Sequence, residues 1–405
     1  MIPFDSARRT VFDAAQPRQP TETVPLVLAA GRILAQPITA LEDIPSAANS
    51  SMDGYAVRAA DVAGAVGNNG TTLRVLGEAA AGKPFEGTVE PGTAVRIMTG
   101  GLLPHGADAV VESEAAEEGE DVVLVRRAVQ AGHAVRPAGE DVRAGEVVLH
   151  PGKRLVPGDI ALLGALGVVN VPVRVRPIVG ILSTGAELVP PHAVPGAGGI
   201  RNSTGPALYA AVTEAGAEPI DLGIVGDDRD ALAERIEEGL RYDVLITTGG
   251  VSVGAHDLVR EALELHGVEV QVHGVAIKPG KPFLFGVHGA GQAQGYVFAL
   301  PGNPVSTLIT FHLFVRPALL GLMGATGRDR VIRAVVDEAV SKSDTKRHFV
   351  RGVLGVNDRG EQVVRTTGTQ SSGAVSSMGR ADCLMVLPEA SNGVERGDEV
   401  DVLLL

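Results

Sequence analysis

Residues Thr247 to Asp257 read TTGGVSVGAHD and follow the apolar run DVLI. A glycine-rich turn after a buried strand suits an anion, because backbone N–H groups can approach it closely and the next helix start adds its positive dipole end. This turn carries Gly249, Gly250, Ser252 and Gly254, and it ends on Asp257 where a nucleotide-binding P-loop would have lysine. Three other strand-like runs end on polar loops. PIVGIL leads to Ser183, Thr184 and Glu187, IDLGIV to Asp227 and Asp228, and YVFAL to PGNPVS with Asn303 and Ser306. Ligands of parallel α/β sheets bind outside the carboxyl ends of the strands, so these loops should face one crevice. Taken singly, GDDRD is equally a helix cap, TTGGVSVG a turn, and PGNP a helix start with Pro304 in its first turn. Together they gather hydroxyls, glycine N–H groups and carboxylates. Acids beside an anion site repel the anion unless a cation bridges them, which is how Mg2+ is held between carboxylates and phosphate oxygens. A phosphorylated substrate with Mg2+ is the economical reading.

VAIKPGKPFLFG adds Lys278 and Lys281 in a loop stiffened by Pro279 and Pro282. Isolated surface lysines are ordinarily just solvated, but two in a Pro/Gly-held loop suit a compact oxyanion that needs point charges in preset positions. A further cluster, NSSMDGYAV, RIMTGGLLPHGADAVV and RPAGEDV, brings Asp53, Thr99, Gly100, Gly101 and Asp141 to turns, where plain turn chemistry is the competing explanation. No HExxH or His/Cys spacing points to zinc, and no GxSxG elbow or Cys/His pair points to covalent catalysis.

The elements that must position these residues follow from composition and pattern. A chain of 405 residues divides into roughly two to four domains. Aromatics are only 3% and Trp is absent, while Gly numbers 52 and Pro 25, so the cores are built from Val, Leu, Ala and Ile joined by tight turns. The net charge of −13 and the lack of any basic tract argue against nucleic acid and acidic membranes as partners. The lone Cys383 excludes an internal disulfide, and in DCLMVLP it reads as a small buried hydrophobe. MIPFDSARRT lacks the pattern of a signal peptide, and IALLGALGVV is too short to span a bilayer. The expectation is a soluble cytoplasmic protein.

In VPLVLAAGRILAQPI the spacing of Leu26, Ala30, Ile33 and Leu34 suits one helix face. Residues 44–137 switch to short β-like runs between Gly/Pro turns, and residues 138–171 return to helix-capable sequence. This reads as a β-rich domain (44–137) inserted into a split helical one (1–43 and 138–171). Over residues 172–323, near-continuous apolar strands alternate with helices, which means a doubly wound parallel α/β domain. After Gly324 short strands form a small C-terminal β domain, 324–405.

NSSMDGYAV, IMTGGLLPHGADAVV, RPAGEDV, GILSTGAELV, TTGGVSVGAHD, AIKPGKP and LPGNPVS, in this order, resemble the molybdopterin molybdenumtransferases. These are the bacterial molybdenum insertases and the E domain of gephyrin. The resemblance runs through nearly the whole chain, including TTGTQSS near its end. It implies an elongated subunit with a split helical domain I, an inserted domain II, an α/β domain III of molybdopterin-binding type and a small β-barrel domain IV. It implies a homodimer whose cleft joins domain III of one chain to domain II of the other. The family reaction takes adenylylated molybdopterin and molybdate, releases AMP with Mg2+, and inserts molybdenum into the dithiolene. The upstream adenylyltransferase is the protein partner this implies.

Carried over by motif position, Glu187, Asp228 and Asp257 would serve the metal and the phosphate, with Asp53, Thr99 and Asp141 supplied by the partner chain. Ser183, Thr184, Gly249, Gly250, Ser252, Gly254 and Asn303 would cradle the pterin phosphate. Lys278, Lys281, Pro282 and Ser306 resemble the molybdate-binding positions, completed from domain IV by Arg347 or Arg351 and by Ser371 or Ser372. Two departures stand out. The family often reads Gly-Asp-Glu-Leu where this chain has Gly185-Ala186-Glu187-Leu188, so one carboxylate is missing and its role falls on Glu187 or on water. TKRHFVRG also matches poorly around its first basic residue. Two further readings are a gephyrin-like scaffold or pterin-binding paralogue without turnover, and a tungstate-specific insertase.

Overall fold

Val244, Leu245 and Ile246 are all buried, yet Val244 and Ile246 join one hydrophobic cluster and Leu245 another. Side chains alternate across a strand, so a run that is apolar at every position must be covered on both faces. That run is the centre of a six-stranded sheet in the computed structural model, which describes residues 1–250, 258–291, 294–327 and 329–405. Ser252, Gly254 and Asp257 lie outside the described residues.

The strands are β1 (Ile178–Thr184), β2 (Glu218–Val225), β3 (Val244–Thr248), β4 (Glu269–His273), β5 (Leu284–His288) and β6 (Gly295–Leu300), ordered β2-β1-β3-β6-β5-β4. The four strands expected from sequence, β1, β2, β3 and β6, are parallel. β5 and β4 extend the sheet in antiparallel fashion, so it is mixed rather than wholly parallel. Leu208 and Val212 of α1 (Thr204–Glu214) cover one face. Leu232 and Ile236 of α2 (Arg229–Gly239), with Val259 and Leu263 of α3 (Leu258–Leu265), cover the other. The continuous helix α4, Pro304–Leu322, is long and apolar enough to cross a membrane, but 83% of that stretch is buried inside the fold as a core helix.

The N-terminal helix Phe4–Ala14 turns Phe4, Ala7 and Val11 into this same core. The helix expected around Leu26–Leu34 does not form. Thr21–Pro25 is a strand paired with Asn170–Arg174, Leu26–Leu28 is a single 3-10 turn, and Gly31 takes φ 77°. Ladder pairing with a distant segment and a left-handed glycine override the helical spacing. Residues 138–171 contribute the helix Pro157–Ala165, whose Asp159 carboxylate accepts the Val156 N–H at 2.9 Å. Residues 44–137 carry a six-stranded sheet with a core of small residues such as Ala56, Val95 and Val110.

In the C-terminal region β7 (Val331–Val336), β8 (Arg347–Val356), β9 (Gln362–Thr366), β10 (Cys383–Leu387) and β11 (Glu399–Leu404) close into a barrel through the β8–β10 pairing. Ile277–Lys278 adds to β8 in parallel, with Lys278 opposite His348. The lysine loop is thereby stitched to the barrel. Phe4 packs against Phe314 of α4 (5.6 Å between ring centroids) and Phe349 of β8 (5.1 Å), while Phe314 stacks on Phe283 at 4.2 Å. One aromatic cluster therefore joins the N-terminal helix, α4, the start of β5 and the barrel. Phe314→Ala should cost about 3–5 kcal/mol and lower the thermal unfolding midpoint. Leu41→Ala, at a residue 86% exposed, should change stability by no more than about 0.5 kcal/mol. Equal midpoints for the two variants in calorimetry would contradict this packing role.

Candidate active site

In the order β2-β1-β3 the chain leaves β1 toward one side and returns on the other, so a crevice opens between the carboxyl ends of β1 and β3. Those ends are Ser183-Thr184 and Thr247-Thr248, all buried. Thr184 Oγ1 donates to the Thr248 carbonyl at 3.0 Å, and Asn202 Nδ2 donates to Ser183 Oγ at 2.9 Å. Asn202 Oδ1 in turn accepts the Gly205 N–H at 3.0 Å, tying in the start of α1. Ser183 thus holds the crevice together, while Thr184 also lines it.

Gly249 and Gly250 take φ 85° and 64°. A Cβ on Gly249 would lie 2.3 Å from the Thr184 carbonyl oxygen, and one on Gly250 2.5 Å from Val259 Cγ2. Only glycine lets this turn approach β1 so closely. The turn opens into a cleft of about 440 Å³ lined by Thr184, Glu187, Arg201, Asp227, Gly249, Gly250, Pro282 and Asn303, among others. Asn303 precedes α4 without spending its side chain on the cap, so its amide is available to a ligand. Gly185 takes φ 149°, and a Cβ there would lie 2.7 Å from the Glu187 carboxylate, which folds back over the backbone.

The acidic pair after β2 divides its work. Asp228 caps α2, its Oδ1 accepting the Ala231 N–H at 2.8 Å, whereas Asp227 lines the cleft. The capping alternative describes Asp228, and among the described residues the carboxylates that line the cleft are Glu187 and Asp227. Among the described residues no three His, Cys, Asp or Glu gather into a metal-binding group.

A second cleft, of about 630 Å³, meets the first at Pro282, which lines both. Lys278, Lys281, Lys346 and His348 face it together with Ser306, Ser371, Ser372 and Gln370. A Cβ on Gly280 (φ 108°) would lie 2.5 Å from the Thr310 methyl, so the lysine loop sits tight against α4. From the other side the Val305 N–H donates to the Ser372 carbonyl at 3.3 Å, docking the barrel loop onto the start of α4.

Neither arginine expected here lines the cleft. Arg347 is bidentate to Asp5 at 2.7 and 2.9 Å and also bonds Glu389, tying the N-terminal helix to the barrel. Arg351 is fully buried, and its Nη2 donates to the Thr369 and Ser371 carbonyls at 3.0 and 3.2 Å. It shapes the loop that carries Ser371. The basic group actually present is Lys346, one residue before Arg347, and the poor match of TKRHFVRG was the signal that could have found it. His348 and Gln370 carried no such signal.

Asp53, Thr99 and Asp141 stand apart. Asp53 Oδ1 accepts the Thr99 N–H at 2.7 Å and its hydroxyl at 2.8 Å, and these bonds hold the Asp53 carboxyl below the usual range. All three residues are exposed, and none lines either cleft.

Comparison with known proteins agrees along the chain. Residues 2–167 match the "MoeA N-terminal region (domain I and II)", 180–321 a "Probable molybdopterin binding domain", and 333–405 the "MoeA C-terminal region (domain IV)". The chain is 37% identical to a molybdopterin molybdenumtransferase of Nostoc sp. over 391 residues, covering 96% of this chain and 89% of that protein. It is 36% identical to the Bacillus subtilis protein of the same name, covering 100% of this chain and 94% of that one. The crystal structure of a molybdopterin biosynthesis moeA protein from Pyrococcus horikoshii OT3 superposes with a TM-score of 0.86 at 33% identity, covering both chains completely.

Proposed function

This chain belongs to the molybdopterin molybdenumtransferase family of molybdenum cofactor biosynthesis, and we propose that it takes adenylylated molybdopterin and molybdate, releases AMP with Mg2+ and yields molybdenum-loaded molybdopterin. The observation that carries the reading is the meeting of two unlike clefts at Pro282. One has the glycine turn and, among the described residues, two carboxylates. The other has lysines and hydroxyls.

Glu187 and Asp227 fit Mg2+, which takes one or two carboxylates plus phosphate oxygens rather than a full protein cage. Bound there, the ion would neutralise charge on the pyrophosphate as water cleaves it to AMP. The Gly250 N–H holds the substrate phosphate and Asn303 orients it, the Gly249 N–H being given to the Leu300 carbonyl at 3.2 Å. Lys278 and Lys281, with Ser306 and Ser371, hold molybdate beside the dithiolene. Asp53, Thr99 and Asp141 act in the cleft of a second subunit, which makes the working form a homodimer. The enzyme works in the cytoplasm and receives its substrate from the upstream adenylyltransferase.

Purified protein with adenylylated molybdopterin should release AMP only when Mg2+ and molybdate are both present. Asp227→Asn should slow release by a factor on the order of 10² while pterin still binds. Asp228→Asn keeps the helix cap, since Asn caps as well as Asp, and should retain nearly full activity. The reverse ranking would overturn the assignment of Asp227. Pterin binding without any turnover would favour a sensor or scaffold.

The shared site has its own test. Asp53→Ala and Asp227→Ala subunits are mixed under conditions that exchange them. About half the dimers are then mixed, each with one doubly damaged site and one intact site, so activity should recover to roughly a quarter of wild type. No recovery after confirmed exchange would place each site within one chain.

A further inference from the structure

His348 is 7% exposed, sits on β8 directly opposite Lys278, and lines the lysine cleft. Its Nε2 lies 2.8 Å from Asp344 Oδ1. The other oxygen of that carboxylate is 4.0 Å from Lys278 Nζ and 3.8 Å from Lys346 Nζ. One acid is thus shared among an imidazole and two of the ammonium groups of the cleft.

We propose that the Asp344–His348 pair couples oxyanion capture to proton uptake: the ring takes a proton from solution when a tetrahedral dianion enters the lysine cleft and returns it when the anion leaves. The inference rests on the oxyanion reading of this cleft given above.

The charges around the ring set the direction. Burial would raise the Asp344 carboxyl, but the Lys346 N–H, the His348 bond and the nearby positive charges bring it down to about 2, so it stays ionised. An ionised acceptor at Nε2 keeps that nitrogen protonated and leaves Nδ1 to gain or lose the second proton. For His348, burial is the largest influence and lowers its value from 6.5; Asp344 opposes this, while Lys278 and Lys342 add to it. Lys346 and Lys281 bring further positive charge to the same cleft. The Lys342 ammonium is held by the Pro388, Glu389 and Ser391 carbonyls at 2.7, 2.8 and 2.9 Å. Glu389, on the far side, is engaged by Arg347. The empty cleft therefore favours the neutral ring at neutral pH.

A bound dianion offsets the repulsion from Lys278 and Lys346 and favours the charged ring. His348 then titrates higher in the complex than in the free protein. Such a group makes binding tighten as pH falls from its bound value toward its free value, by at most about tenfold per pH unit for one proton. Above the bound value the ring is neutral in both states and contributes no dependence. A singly charged anion offsets less and gains less, so the pair favours doubly charged oxyanions.

The test is calorimetric titration of the full-length protein with sodium molybdate between about pH 6 and 8, in two buffers of different protonation enthalpy. Wild type should take up a fraction of a proton per anion and bind several-fold tighter at the lower pH. His348→Gln keeps a side-chain N–H for Asp344 but cannot be charged, so it should bind with little proton uptake and a flat pH profile. Its residual slope measures the protonation of the anion itself. Lys281→Ala reports whether binding occurs in this cleft. Binding that needs Lys281 but has the same slope in wild type and His348→Gln would overturn the coupling and leave the oxyanion reading standing. Binding indifferent to Lys281 would overturn the oxyanion reading itself. If His348→Gln unfolds, the wild-type proton count decides, and a count of zero rejects the proposal.

Discussion

The site depends on one close backbone approach, that of Gly249 to the end of β1. A Cβ at Gly249 would lie 2.3 Å from the Thr184 carbonyl, and a Cβ at Gly302 would lie 3.3 Å from the Gly249 Cα. Three chain segments therefore converge where side chains cannot intervene, and the Gly249 N–H ties the turn to the Leu300 carbonyl at the end of β6. Thr184, Asn202 and Ser183 brace this arrangement with buried hydrogen bonds, which are costly to break because their partners have no water to turn to. The glycine-rich crevice is thus a consequence of strand order and bulk.

A second constraint sets what lies beside the crevice. The Phe4, Phe283, Phe314 and Phe349 cluster and the ladder between Ile277–Lys278 and β8 hold the barrel against the α/β domain. That docking places the barrel loop with Ser371 and Ser372 across from the lysine loop. The α/β domain alone would leave Lys278 and Lys281 on an open edge. With the barrel in place they face hydroxyls from another domain, and Pro282 connects their cleft to the crevice. A net charge of −13 makes such a local concentration of lysines the exception in this molecule.

Much of this was legible in the sequence, for physical reasons. Apolar runs such as Val244–Thr248 are buried on both faces and read as central strands without help. The turn glycines and the Pro/Gly-held lysines announced backbone geometry that other residues cannot adopt. What escaped depended on tertiary partners. The Leu26–Leu34 spacing suited a helix, but pairing with Asn170–Arg174 decided that segment. The antiparallel β4 and β5 were hidden because the Pro-rich lysine loop lies between them. GDDRD could not reveal which aspartate caps α2 and which faces the cleft, since adjacent residues point apart only once the helix start is placed. Arg347 and Arg351 resembled anion-binding positions, yet Asp5 and Glu389 engage the first. The second is buried beneath the loop that carries Ser371, with its Nη2 on the Thr369 and Ser371 carbonyls and its Nε and Nη1 without a partner among the described residues.

The central claim is that two adjoining clefts hold two different anions, with the oxyanion on the lysine side of Pro282. Anomalous diffraction from crystals soaked in tungstate tests it most directly, because a heavy tetrahedral oxyanion marks its own position. The expected result is a peak within hydrogen-bonding reach of Lys281 and Ser371, with the crevice at Gly249 and Gly250 empty of tungsten. A peak against Gly249 and Gly250, with the lysine cleft empty, would contradict the account.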